Sequence, residues 1–377
     1  MAWLELQLDS VREPAECLIR VDGEEVTELY PFLTGVTVQL SRNEAATATL
    51  VFESRRDETG EWLGQDAGIL RTWKPVIIEA AFGDYSEEVM RGYIREIRAE
   101  YPSEGVATVT VECQDDSIAL DRLHRRRVWG AEVPTCDVHM MTEILGRYAL
   151  SAHTGCGTGL SDIVVNQDDT DITFLKKRAA INGYELVFAL GVVYFGPWRI
   201  DTEPQATIMV NAGRQTNCIH FSSSADGHQP DSVAFDVADS EREGVLQESI
   251  TSDLPLMGSE SADSISSGLE DFSWRMSREG GVDQETLRAA ARKKANELAM
   301  KIKAEGELDG SLYGHVLRVA EPVGVDGVGN WLGGIYYVDA VTHTFNYDGY
   351  KQQFKLLRNA YGDNLDAGIG SVLAAII

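Results

Sequence analysis

Cysteine is scarce in this chain of 377 residues. The five present, Cys17, Cys113, Cys136, Cys156 and Cys218, are scattered, odd in number and never arranged as C-x-x-C. That spacing excludes a disulfide framework and a zinc knuckle, and it fits folding in a reducing cytosol. Basic residues are also short, with 33 Lys and Arg against 60 Asp and Glu and a formal net charge of -27. A surface this acidic repels other polyanions, so no specific nucleic acid binding is expected. The acidity serves either solubility or a surface that must not hold DNA or an acidic cargo passing by. No apolar run approaches the length of a membrane span, so no membrane span is expected. The start, MAWLELQLDSVREP, lacks the basic region and apolar stretch of an export signal. The catalytic phrases G-x-S-x-G and H-E-x-x-H, the Walker A loop and the dinucleotide fingerprint are missing too.

What is present reads as folded protein. Apolar residues make up 44% and charged residues 25%, outside the disordered range, and the length suits two to four modules. Up to about Asp115 the chain alternates apolar and polar residues in short runs: Cys17 to Val21, Val36 to Leu40, Ala46 to Phe52, Pro75 to Phe82, Val89 to Glu100 and Val106 to Cys113. Turn-formers such as Asp22-Gly23 separate them, and strands this dense need a closed or sandwiched sheet to hide their edges. The period then changes. Asp137 is expected to cap a helix carrying Met141, Ile144, Leu145 and Tyr148, and Asp171 to cap a second that stops at Gly183. A hairpin turning at Gly191 follows. Strand runs return at Asn217 to Ser222 and Ser232 to Asp236, then a Ser, Asp, Glu and Gly-rich stretch reads as a long loop. The clearest helix is expected over Asp283 to Glu305, closed by Gly306, with Leu287, Ala291, Ala295, Leu298 and Ile302 on one face and Lys301 away from it. Strands are expected at Tyr313 to Val319, Ile335 to Phe345 and Lys351 to Arg358.

The resulting fold class is α+β and β-rich. A first β-barrel (1–116) precedes an α+β insert (117–204). A second β-barrel (205–237 and 307–360) is interrupted by an acidic loop and helix insertion (238–306), and an apolar tail (361–377) ends the chain. Three segments then carry a family likeness. They are LTGVTVQLSRNEAATATLVFES with VMRGYIREIRAEYPSEGVATVTVECQDDSIALDR, NQDDTDITFLKKRAAINGYELVFALGVVYFGP, and YYVDAVTHTFNYDGYKQQFKLLRNA. In that order the chain resembles the late control gene D family of phage tail baseplate hubs, which includes the hub part of type VI secretion spikes. The resemblance implies a homotrimer whose two barrels per subunit form a ring of six similar units between a sixfold tail tube and a threefold central spike. It implies as partners a separate spike protein, the tail tube protein, baseplate wedge proteins and the tape measure protein. It also implies a place in a virion tail baseplate or injection particle assembled in the bacterial cytoplasm. The chain ends soon after its last strand, so the spike is expected to be a separate chain.

Candidate chemistry is sparse, and no catalytic, cofactor or metal residue is proposed. His343 sits between apolar neighbours on an alternating strand with no second ligand at metal spacing, so a structural, hydrogen-bonded role is expected. Asp168, Asp169 and Asp171 lack the Gly and Glu of a calcium loop. With 60 acids, an imagined glycosidase pair carries no signal. Arg122, Arg125, Arg126 and Arg127 form the dense basic cluster, which is either a solvated loop or an intersubunit or tube contact through Arg–carboxylate pairs. Ile369, Val372, Leu373, Ile376 and Ile377 either fold back on the chain's own barrel or contact the spike. The expected function is a structural hub with no turnover. The alternative is a tail-associated cell-wall hydrolase.

Overall fold

Alternating β-branched and polar residues build the body of the molecule. The computed structural model describes residues 14–56, 58, 60, 62, 68–238, 245–263, 270, 272–276 and 284–365. The tail contacts assigned to Ile369, Val372, Leu373, Ile376 and Ile377, and the cap assigned to Asp283, lie outside the described residues. The first module holds β1 (Glu16–Val21), β2 (Glu24–Glu25), β3 (Leu33–Ser41), β4 (Thr47–Ser54), β5 (Pro75–Phe82), β6 (Tyr85–Glu100) and β7 (Ala107–Asp115). Val36, Val38, Ala48, Leu50, Val109 and Val111 turn inward at every second position and share one core with Ile19, Ile78 and Ile94. Burying such side chains is worth about 1.5–3 kcal/mol each, which fixes the register of every strand that carries them.

The insert follows, with β8 (His124–Trp129), α1 (Asp137–Leu145), β9 (Ser151–Ala152), β10 (Val165–Thr170), α2 (Asp171–Asn182), β11 (Glu185–Ala189) and β12 (Val192–Gly196). The hairpin turns at Leu190 and Gly191, both left-handed (φ 56° and 73°), as a two-residue turn requires. Both expected Asp caps are corrected. Thr170 caps α2 by accepting from the backbone N–H of Thr173, and Cys136 precedes α1 without any side-chain cap. Asp137 and Asp171 stand one position later and point into the module. Asp137 accepts from Arg178 Nε (2.5 Å), Asn182 Nδ2 (2.7 Å) and the Leu160 N–H (2.8 Å). Asp171 accepts from Gln167 (2.7 Å), Tyr148 (2.7 Å) and Arg125 (3.1 Å). A buried carboxylate needs such partners more than a helix end needs a cap.

Downstream come β13 (Gln205–Met209), β14 (Cys218–Ala225), β15 (Ser232–Ala238), β16 (Val245–Ile250), β17 (Glu260–Ser261), β18 (Ser273–Arg275), α3 (Gln284–Leu298), β19 (Ile302–Asp309), α4 (Gly310–Tyr313), β20 (Pro322–Asp326), β21 (Gly334–Asn346), β22 (Gly349–Arg358) and β23 (Ala360–Tyr361). The helix stops earlier than expected because Ile302 and Ala304 are buried in alternation with exposed Lys303 and Glu305, and β19 finds ladder partners on both sides in β14 and β22. Gly306 belongs to that strand: a Cβ there would come within 2.2 Å of the His220 carbonyl oxygen. Lys301 is not on an outer face. It is 2% exposed and its ammonium meets the Asp231 carboxylate. The strand expected at Tyr313 to Val319 is absent among the described residues, and β20 was not anticipated. β15, expected in the second barrel, pairs with β16 and β18 in a small sheet under α3.

The expected α+β, β-rich class is observed. No closed barrel is found among the described residues. The strands assigned to two barrels form one 13-stranded sheet ordered β14-β19-β22-β21-β3-β4-β7-β6-β5-β1-β2, with β20 attached to β21 and β13 to β20. The two halves meet at the antiparallel β3–β21 pair, where Val38 faces His343. Each half keeps its own core, the second built on Ile302, Leu308, Val323, Tyr336, Val341, Phe354 and Leu356.

Candidate functional site

The side of the central sheet opposite those cores is a polar wall. Its cross-strand register sets Lys351, Thr344, Thr37, Thr49 and Glu112 in one row. Glu307, Gln353, Thr342, Gln39, Thr47 and Gln114 form the next. Thr tolerates the pleated backbone as well as Val does, so these hydroxyls keep strand propensity while leaving the face wet. Where β14, β19, β21 and β3 curve past one another, the wall dips into an open groove of about 740 Å³ bordered by Glu44, His220, Glu305, Glu307, Asp339 and Lys355. Four carboxylates there face one lysine.

Beside this wall the modules are fastened by a buried polar junction. Arg42, just after β3, donates from Nη1 to Glu185 of the insert (3.0 Å) and from Nε to Asp339 of β21 (3.2 Å). Its guanidinium lies 3.9 Å from the centre of the Trp198 ring, which stacks on Tyr337. Tyr337 donates to the other Glu185 oxygen (2.6 Å). Burial pushes the Glu185 carboxyl up, and the Arg42 charge opposes that. Removing one member of such a pair strands the other in low dielectric at a cost of about 3–5 kcal/mol, so the junction holds three modules in one geometry. A cavity of about 210 Å³ adjoins it, lined by Val89, Arg91, Asp116, Phe188, Tyr194 and Arg199. Sequence reading missed this junction, because nothing local in the chain links positions 42, 185 and 337.

The basic cluster lies mostly on β8, a strand and not a loop. Arg125 pairs with Asp171 (3.1 Å), Arg126 with Asp168 (2.8 Å), and Arg127 with Glu143 while stacking 3.7 Å over Trp129. Arg122 lies 4.2 Å over Trp73. Hydrogen bonds from His124 and Arg126 hold the Asp168 carboxyl below its usual range. All four arginines thus have partners within one chain, and Arg126 remains 82% exposed at its side chain. His343 is fully buried, with Nδ1 2.8 Å from the Tyr350 hydroxyl, the structural role expected of it. Among the described residues no three His, Cys, Asp or Glu side chains converge on a metal position, and no helix is long and apolar enough to cross a membrane.

Known proteins agree with this architecture. A family model described as the Alg8 N-terminal domain matches residues 12–346. The chain belongs to that family. The model that matches is thus not that of late control gene D. Among solved structures, the fold is shared with the 43 kDa tail protein of prophage MuSo2 from Shewanella oneidensis, at 13% identity and a TM-score of 0.67 over 91% of this chain and 98% of that one. It is also shared with a tail protein from Neisseria meningitidis, at 13% identity and a TM-score of 0.63 over 92% and 97%. A component of the Escherichia coli type VI secretion system follows, at 11% identity and a TM-score of 0.55 over 92% and 79%. No curated protein sequence matches the chain. The fold is therefore that of phage tail and type VI secretion proteins.

Proposed function

We propose that this chain is a structural component of a phage-like tail, the late control gene D type of hub that joins a sixfold tube to a threefold spike. The observation that carries the reading is the central sheet itself. Two half-sheets with separate cores lie edge to edge through β3 and β21. Three copies of such a chain supply six similar units around an axis, which matches a sixfold tube on one side and a threefold spike on the other. Near-complete coverage of two tail proteins supports it. The protein then works by geometry and binding, with no turnover. Tube, wedge, spike and tape measure proteins are its partners, and the apolar residues near Ile377 contact the spike.

Light scattering on the chain alone and on the chain co-expressed with candidate tube and spike proteins from its source genome tests this. The expected mass of the hub alone, or of the hub recovered from the complex, is three times 41.5 kDa. A monomer or dimer in both conditions would overturn the trimer. Clearing of purified cell-wall material by the isolated chain would favour a hydrolase instead.

A further inference from the structure

Four tryptophans of this chain serve as platforms for cations. Arg122 covers Trp73 at 4.2 Å, Arg127 covers Trp129 at 3.7 Å, Arg42 covers Trp198 at 3.9 Å, and Lys294 sits 5.6 Å over Trp274. Trp331 instead presents an open face. It is 60% exposed, stacked at 5.0 Å and 7° on Tyr361, and no cation of the described residues lies over it.

The mounting is rigid. Gly362 N–H donates to the Trp331 carbonyl (3.1 Å), Asp363 N–H to Asn330 (2.9 Å) and Gly333 N–H to Gly329 (2.7 Å). The fully buried Arg358 braces the same turn, donating to the carbonyls of Met257, Gly333 and Gly362 (2.9, 2.7 and 2.5 Å) with its guanidinium 5.1 Å from the centre of the Tyr336 ring. The rim is acidic. Exposed Glu260 pairs across from Tyr361, while Asp363, two residues on, accepts from the Leu365 N–H and Asp326, at the base of the loop, from the Gly327 N–H. No lysine or arginine occurs from residue 319 to 350.

We propose that the Trp331–Tyr361 platform is a docking site for a cationic side chain, arginine foremost, presented by a segment of another protein. A preorganised indole face is the strongest aromatic acceptor for a guanidinium, and adjacent carboxylates offer that group its hydrogen bonds. A rigid aromatic anchor also has little entropy left to lose on binding, which is what places Trp among interface hot spots.

The test uses the full chain labelled with 5-fluorotryptophan and followed by fluorine NMR during titration with a capped hexa-arginine peptide at 0.15 M salt. The Trp331 line, assigned by its loss in Trp331→Phe, is expected to shift saturably at lower peptide concentration than the lines of Trp73 and Trp274. Glu260→Gln should raise its midpoint severalfold with the melting temperature unchanged, since Glu260 is exposed across from Tyr361. Three outcomes overturn the proposal: all tryptophan lines moving together, an equal midpoint for a glycine–serine peptide of the same length, or a Trp331 line that moves with chain concentration alone. The last would assign the face to a second copy.

Discussion

His343 shows how burial turns one side chain into a pH-dependent contribution to stability. It is fully buried, its Nδ1 meets Tyr350, and its Nε2 has no partner among the described residues. Loss of hydration, with Arg318 nearby, pushes its pKa down from 6.5 to about 3. Above pH 6.5 the imidazole is neutral whether folded or unfolded. As pH falls from there towards 3, the unfolded chain takes up a proton that the folded chain refuses, so stability drops by up to about 1.4 kcal/mol per pH unit from this group. Asp116 acts in the opposite sense, since burial raises it from 3.8 to about 6 and its contribution falls as pH rises through that window. Replacing His343 with Asn should flatten the acid limb measured by urea unfolding between pH 7 and 4.5. Parallel profiles for the two proteins would show that the histidine charges inside the fold. The strand VTHTF was enough to place this histidine as structural, because alternation puts it inward with Val341 and Phe345. The same logic could not reveal why Asp137 and Asp171 leave their helix ends, since Arg178, Asn182 and Arg125 reach them only through tertiary folding.

Elements were legible where period and length agreed. The alternation over Pro75 to Phe82 gives β5 its observed bounds, and a single glycine between two apolar runs marks the hairpin of β11 and β12. The helix over 284–298 was recognised on its packing face, and Leu287, Ala291 and Ala295 do pack on β15 of the same chain. Its end was misplaced because Ile302 continues both a helical stripe and a strand alternation, and only the neighbouring strands decide between them. β20 escaped notice because PVGVD has no alternation: Pro322 to Val325 are all buried, as in a strand covered on both faces. The observed packing ranks two substitutions on α3. Ala291 is fully buried against Val233 and Phe235, whereas Leu298 lies partly exposed at the edge of the same cluster. Ala291→Asp should therefore destabilise by several kcal/mol, through a buried unpaired charge, and Leu298→Asp by clearly less. Equal losses of melting temperature would mean that α3 packs with its other face inward.

At the scale of the whole molecule, the acidic balance and the polar wall answer the same physical demand. A net charge of -27 could be spread for solubility alone. In the observed sheet, however, the groove of the wall sets Glu44, Glu305, Glu307 and Asp339 against Lys355, and the rows around it carry hydroxyls and amides with Lys351 paired to Glu307 at 3.6 Å. A surface whose carboxylates outnumber its lysines repels phosphates, and its small apolar area gives proteins little to bury, so it holds both weakly. In the ring of three chains proposed above, the wall is the face suited to line the passage. Gln39→Lys with Thr342→Lys puts two ammonium groups side by side in the middle of it, since these residues are ladder partners on β3 and β21. Both sites are partly exposed and lysine keeps its stem on the sheet, so melting temperature and oligomeric mass should stay within error of the parent chain. Particles assembled with the double variant should look normal by electron microscopy yet release their DNA or acidic cargo more slowly, with the defect relieved as salt is raised. Release at the parental rate would place this wall outside the passage and leave the charge to serve solubility alone.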